Sequence, residues 1–401
     1  MRLPKLTESG KKTLAVLLAL ERVSRPQVSA ETGLSKQTVS IAMEELASMG
    51  LVEVISSQQG PTGRSASVYG LGRLSGWILG VDFGSTHIRL AATSLSGHLI
   101  VERDIAVSGS PNTANADFGD DARRAVKSLI DELTSTRGDL LTVCVALSRA
   151  VPALCNWNGE TRPDMPADLW EILAGLDVPT NVAFYAENNV NCAALGELRH
   201  GGSGASSDFA YLQVGVGIGA GIISNGHLVR GARGEAGELR YLPSPLSDPH
   251  FPNAETALNS AGLLERYNRA CGPEALGKAE SVQYVLNQAT KGHQPAVRIR
   301  QEQVDGIAYL VAALVAIANP ETIILGGGMG QNPTLLPSVR EAAERLGLKV
   351  RIEPGSLKDA ATVAGAAALA RDLTLTALLG QPLAFPLLLQ SAKWPGSASQ
   401  H

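Results

Sequence analysis

Trp77-Ile78-Leu79-Gly80-Val81-Asp82-Phe83-Gly84-Ser85-Thr86 reads as a buried strand that ends in an acid, a glycine and two hydroxyls, and another strand begins at Ile88. Gly84 lets a backbone approach a phosphate, Ser85 and Thr86 offer hydroxyls, and Asp82 is placed to orient a metal-bound water. Two more glycine turns end apolar strands: Gly215-Val216-Gly217-Ile218-Gly219-Ala220-Gly221, and Gly326-Gly327-Gly328 after the strand from Thr322 to Leu325. The first of these fails as a dinucleotide fingerprint, because a strand follows it where a helix is needed. Any one of the three reads equally as a plain tight turn; three at strand ends are harder to dismiss. Long helices are expected over Asp117 to Thr136 and Gln301 to Asn319, and a small-residue helix over Ala360 to Ala370.

Upstream the pattern changes. Leu14, Val16, Leu17, Leu18 and Leu20 mark an apolar helix, which Pro26 separates from a short second helix through Ala30 to Thr32. Gly33 supplies a turn, Leu34 a buried plug and Ser35 a helix cap. Val39, Met43, Leu46 and Met49 share one face of a third helix, with Lys36, Gln37, Ser40 and Glu44 opposite. Leu51 to Ser56 and Val68 to Leu71 read as strands on either side of a turn holding Gly60, Pro61 and Gly63. Three helices and a glycine-rich hairpin make a winged helix-turn-helix over residues 1–73, with Ser35 to Met49 as the recognition helix in the major groove. Ser35, Lys36, Gln37, Thr38, Ser40 and Ile41 are its expected DNA contacts, and Arg64 is expected to touch the backbone or minor groove from the wing. Residues 1–73 hold nine Lys and Arg against six Glu, a net of +3, which leaves −7 on the rest of a chain whose total is −4. A basic head on an acidic body suits a module that approaches phosphate.

At 401 residues, 44% hydrophobic and 18% charged, the chain has room for two or three lobes with their own cores and the composition of a soluble globular protein. The absence of an uninterrupted apolar run of about 18 residues, and of an apolar core within Met1 to Gly10, points to a cytoplasmic protein with no membrane partner. Cys144, Cys155, Cys192 and Cys271 form no Cys-x-x-Cys pair and read as buried structural thiols.

Together the glycine turns resemble the phosphate and adenosine segments of the actin-like sugar kinases. The closer resemblance is to the ROK family, whose name joins repressors, open reading frames and kinases. Asp82 to Thr86, Glu187 to Glu197, Gly215 to Gly221, Gly231 to Glu238 and Pro320 to Gly328 follow that family's order and spacing. Leu34 to Ser40 and Leu46 to Leu51 resemble the heads of bacterial repressors, which often carry Arg where Ile41 stands. The resemblance implies an α/β fold: a winged helix-turn-helix, then a two-lobed actin-like ATPase (ribonuclease H-like) body with lobes at 77–190 and 191–372 around a cleft, the C-terminal helix of the second free to pack back on the first. Residues 373–401 form an apolar extension beyond it, expected to cover a lobe or join a dimer contact. Sugar and nucleotide meet in that cleft in kinase members, and repressor members bind sugars as effectors.

The departures from the family decide the reading. Asn189 stands where the kinases carry a catalytic aspartate, and its amide takes no proton near neutral pH although it can still hydrogen-bond a hydroxyl. Val216 stands where they carry a phosphate-contacting Thr, and Ser85 replaces a Gly. Asp82, Gly84, Ser85, Thr86, Gly215, Gly217 and Gly327 thus imply a vestigial phosphate site, with no catalytic residue and no cofactor. The family's zinc-binding cysteine cluster is missing between Leu242 and Ala254, so no metal is expected, and Pro243, Pro245, Pro249 and Pro252 are expected to stiffen that loop. Asn188, Asn189, Glu238, Glu255 and Tyr241, the last at a family His position, imply a surviving sugar site. The bland alternatives are a helix cap ahead of Cys192 to Leu198 for the two asparagines, a role that can coexist with sugar binding, and solvated charge for the two acids. Arg149 brings a positive charge near the expected cleft, and Asn156, Trp157 and Asn158 suit a polar ligand. The chain therefore reads as a non-enzymatic repressor of carbohydrate genes, a homodimer or dimer of dimers, with a double-stranded DNA operator and a sugar or sugar-derivative effector as partners. Two alternatives stay open: a working sugar kinase with a regulatory head, and a DNA-binding regulator that senses no small molecule.

Overall fold

A computed structural model describes residues 5–59, 65–84, 86–107, 116–151, 155–157, 171, 173–179, 181–201, 206–272 and 281–380. They fall into two compact units: one built from Met1–Ser148, Leu154–Glu187 and Val363–Gly396, the other mainly from Asn188–Thr362.

The first unit opens with α1 (Glu8–Leu20), β1 (Val23–Ser24), α2 (Arg25–Thr32), α3 (Lys36–Ser48), β2 (Val52–Gln59) and β3 (Ser65–Leu71), the strands ordered β1-β3-β2. Side chains that accept the free first-turn amides set the helix starts. Thr7 caps α1, Ser24 and Gln27 form a reciprocal capping box on α2, and Ser35 accepts from the Thr38 amide at 3.1 Å to start α3. Pro26 does not separate two helices; it sits in the first turn of α2, where its missing N–H has no helical partner to lose. Leu14, Leu17, Val39, Ala42, Met43 and Leu46 form the small core, whereas Leu34 is only half-buried and Met49 is exposed. The amide and hydroxyl of Thr7 donate to the Glu45 carboxylate at 2.8 and 2.6 Å, so the start of α1 is tied to α3.

The same unit continues through β4 (Trp77–Phe83), β5 (His87–Ser94), β6 (Leu99–Ala106), α4 (Ala116–Arg137), β7 (Leu140–Leu147), β8 (Cys155–Trp157) and β9 (Ala183–Asn188). Their order in the sheet is β6-β5-β4-β7-β9-β8, with β4 antiparallel to β5 and parallel to β7. Every residue of β4 is buried, as a central strand covered on both faces requires. The C-terminal helix, Ala361–Leu379, runs well past Ala370 and packs on this sheet. The Thr374 hydroxyl donates to that of Thr142 at 2.6 Å, and Arg371 Nε donates to the Leu95 carbonyl at 2.8 Å. Leu375, Leu378 and Leu379 are buried by this helix; the apolar run from Leu383 on lies outside the described residues.

The head is held to this lobe by more than its linker. Gly72 N donates to Leu51 O at 2.9 Å and Gly76 N to Arg137 O at 3.0 Å. Gly138 has φ +84°, and a Cβ on it would come within 2.4 Å of the Leu74 carbonyl oxygen, so only glycine fits against the linker there. Glu21, at the end of α1, meets His98 Nε2 at 2.7 Å.

The second unit contains α5 (Asn189–His200), β10 (Phe209–Val214), β11 (Ile218–Ser224), β12 (His227–Val229), α6 (Ala254–Leu258), α7 (Ser260–Cys271), α8 (Val282–Thr290), α9 (Gln294–Ala318), β13 (Thr322–Gly326), α10 (Gly327–Gly330), α11 (Leu336–Arg345) and β14 (Arg351–Pro354). The sheet order is β12-β11-β10-β13-β14, with β10 antiparallel to β11 and parallel to β13. α9 starts before Gln301 because Pro295 opens it and Ala296 and Ile299 already reach the core. By length and composition Gln294–Ala318 and Lys358–Leu379 could each cross a membrane, but both are partly or mostly buried within the fold, as core helices are. Cys144 and Cys192 are buried free thiols, and Cys271 is half-buried.

Candidate functional site

On the head, α3 turns Lys36, Gln37 and Ile41 to solvent, Ile41 at 59% exposure, with Thr38 and Ser40 half-buried beside them. A helix that buries Val39, Ala42, Met43 and Leu46 must present these residues on its other side. An apolar side chain this exposed suits the methyl group of a thymine. Arg64 lies outside the described residues.

In the second unit β11 is the platform on which the expected sugar residues converge. α5 lies on it so closely that a Cβ on Gly221 would meet the Ala194 methyl at 2.6 Å. The loop before Glu238 is pinned to it by the Ala220 amide, which donates to the Gly237 carbonyl at 2.9 Å. Asn188 caps α5: its Oδ1 accepts from the Val190 and Asn191 amides at 2.8 and 3.1 Å, while its Nδ2 donates to the Arg149 carbonyl at 3.0 Å. Both ends of that amide have internal tasks, and Asn188 is the cap of α5. Asn189, the next residue, makes no side-chain hydrogen bond among the described residues and is half-buried.

Glu238 and Glu255 are both half-buried. Burial pushes the Glu238 carboxyl up, Arg240 at 3.2 Å draws it down, and the charges of Glu255 and Glu235 push it up again. Arg240 also stacks on Tyr241, 5.2 Å from the ring centre, and the Tyr241 hydroxyl donates to Glu235 at 3.2 Å. Tyr241 is nonetheless 65% exposed, an aromatic face with one polar tip. Glu235 and Arg240 were missed by sequence reasoning; their signal was the charge alternation in Arg233, Glu235, Glu238 and Arg240. The loop that follows closes by itself. Pro243 bridges Asn253, and the Ala254 amide donates to the Leu242 carbonyl at 3.0 Å. Among the described residues no three His, Cys, Asp or Glu side chains are placed to hold a metal ion.

Two of the three glycine turns meet at the ends of neighbouring strands, since β10 and β13 run parallel with Gln213 opposite Gly326. Gly327 has φ +75°, and a Cβ there would strike the Val214 carbonyl oxygen at 2.6 Å. Gly215 and Gly217 close their own turn with a 3.1 Å hydrogen bond, which leaves Val216 at 68% exposure. The Glu255 carboxylate accepts from the Ile218 amide at 3.4 Å and so puts negative charge against this turn, where a phosphate would need the opposite.

Asp82, Gly84 and Thr86 belong to the first unit; Ser85 lies outside the described residues. Asp82 is 5% exposed, and Arg89 stands 3.6 Å away while also donating to Asp104 at 3.1 Å. Burial outweighs that attraction and pushes the Asp82 carboxyl up to about 7. The Gly84 amide donates to the His87 carbonyl at 3.0 Å, and Thr86 Oγ1 meets His87 Nδ1 at 2.9 Å, so this segment too is engaged internally. Arg149 appears in the site through its backbone. Of Asn156 and Trp157 only the strand backbone is described, and Asn158 lies outside the described residues.

A xylose repressor from Caldicellulosiruptor bescii is 26% identical, with 89% of this chain and 93% of the relative aligned. A beta-glucoside kinase from Listeria monocytogenes is 27% identical over 72% of this chain and 95% of its own length. The crystal structure of a ROK family transcriptional regulator, a homologue of the E. coli MLC protein, superposes with a TM-score of 0.69 at 19% identity, covering 96% of this chain and 99% of that one. Residues 78–373, from the strand that bears Asp82 to the helix that bears Arg371, match the ROK family, and the chain belongs to it.

Proposed function

We propose that the chain is a carbohydrate-responsive transcriptional repressor: the head reads duplex DNA, and the second unit holds a sugar or sugar derivative without phosphorylating it. One observation carries this reading. The two carboxylates that phosphoryl transfer would use are gone or occupied, with Asn189 in place of one and Asp82 held beside Arg89, while Glu238 lies within reach of the Glu255 charge and shares Arg240 with Tyr241. A general base contributes about 10² to 10⁴ in rate, and the amide of Asn189 supplies none. The full-length similarity to a xylose repressor supports the same reading. Coupling follows from population shift in a homodimer. An effector that prefers one arrangement of the body re-spaces the two heads, and operator affinity depends on half-site spacing.

The test selects a duplex from a randomised pool with the full chain, then titrates the complex with pentoses, hexoses, amino sugars and sugar phosphates. Release by one class is expected, together with a rise in melting temperature by that class alone. Sugar-dependent nucleotide turnover that vanishes in Asp82→Ala would instead make the protein a kinase. A selected duplex that no sugar releases, with a flat thermal response, would leave a DNA-binding regulator without an effector.

A further inference from the structure

Arg25, the first residue of α2, is a cation that the reading of α3 leaves unexplained. Its guanidinium carbon lies 5.4 Å from the centre of the Tyr69 ring. Tyr69 is buried in β3 and fixed there by its register opposite Val23 of β1, so the residues just before α2 are bound to the strand that carries the ring. Arg25 Nε is closed off from solvent and has no hydrogen-bond partner among the described residues, and no carboxylate among them pairs with Arg25. Lys11 shows the contrast: Glu8 neutralises it at 2.6 Å. A side chain that gives up hydration for a ring face, with no acid to balance it, is held in place as an available charge.

The surroundings favour an anion. Arg25 stands at the positive end of α2, and the capping box there uses Ser24 and Gln27 on each other, so no acidic side chain occupies the first turn. α2 leads through Gly33 and Ser35 directly into α3. In a helix-turn-helix whose second helix enters the major groove, the first helix crosses the sugar-phosphate backbone. We propose that Arg25, oriented by Tyr69, grips a backbone phosphate of the duplex that α3 reads; this rests on the DNA-reading function proposed above. A guanidinium suits the task, being a planar fork that binds phosphate through two donors while its face stacks on an aromatic ring. The contact fixes the head's register on the duplex and carries no sequence information.

The experiment uses the full chain and a random-sequence duplex, with affinity followed between about 50 and 200 mM salt. Arg25→Ala should lower the slope of log affinity against log salt by about one and weaken binding about tenfold at the low-salt end. Arg25→Lys should keep the slope and bind more weakly than the parent, because lysine keeps the charge and loses the fork. Tyr69→Phe should behave as the parent. Should alanine unfold the head, Arg25→Gln, which keeps a polar stem without the charge, reads the same slope. A charge-free variant that folds and retains the parent's slope and affinity overturns the proposal. A parent chain that binds neither random nor selected duplex overturns the DNA-reading function itself.

Discussion

Asn189 keeps the hydrogen-bonding shape of an aspartate and loses its affinity for protons. Its neighbour Asn188 is spent on the α5 amides and the Arg149 carbonyl, so the two asparagines should respond differently to alanine. Asn188→Ala is expected to cost about 1 kcal/mol or more in denaturant unfolding, the usual loss of a helix cap. Asn189→Ala should leave stability near the parent's and weaken effector binding about tenfold in a thermal titration. Asp82 gives the clearest pH signature. Its carboxyl sits at about 7 in the folded chain, against about 3.9 for a free carboxylate. The folded state therefore holds a proton that the unfolded state has already released, and the stability linked to this group is full below about pH 4 and lost as pH rises through about 7. Asp82→Asn should stabilise the fold more at pH 8 than at pH 5, by up to about 4 kcal/mol at the higher pH, read by denaturant unfolding at both; equal gains at both would contradict the burial of that charge. The partnership with Arg89 was legible in principle, since a hairpin closed at Gly84 to Thr86 puts Asp82 directly opposite Arg89. Reading the motif for phosphate alone hid that pair.

At the scale of elements, strands were more legible than helix limits. Trp77–Phe83 and Thr322–Gly326 are fully buried strands, and short mostly apolar runs with glycine at or just past their ends have few other readings. Helix starts were misplaced where a proline stood near them, because proline serves the first turn of a helix as readily as it ends one. The C-terminal helix was cut short for another reason: its later residues, Leu375 and Leu378, are apolar on the side that meets the sheet, and that side is set by packing, which spacing does not reveal. α3 carries the element-scale prediction. Gln37→Ala should blur discrimination between the selected duplex and its single-base variants, whereas Ser35→Ala should lower head stability by about 1 kcal/mol through the lost cap. Competition binding and thermal unfolding separate the two effects.

For the whole molecule, the linker matters as much as either end. Leu74 lies with its carbonyl against Gly138, and the head is further fastened where Glu21 meets His98. Gly138→Ala would force a Cβ into that carbonyl from a left-handed backbone, a cost of about 1 to 3 kcal/mol. Thermal unfolding of the variant should show the loss, and sugar-driven release of DNA should weaken with it. None of this coupling was legible in the sequence, because Glu21 and His98 sit far apart along the chain in segments with no motif.

The C-terminal helix belongs to the first unit although the chain reaches it only after the whole of the second. Ribosomes deliver a chain in order, at roughly 5 to 20 residues per second. The sheet around β4 must therefore wait, with the face that Arg371 and Thr374 will cover still bare, while the main stretch of the second unit, Asn188–Thr362, is made and can close. A nascent chain stalled before Ala361 should accordingly resist protease across β10 to β14 and be cut readily between β4 and β7.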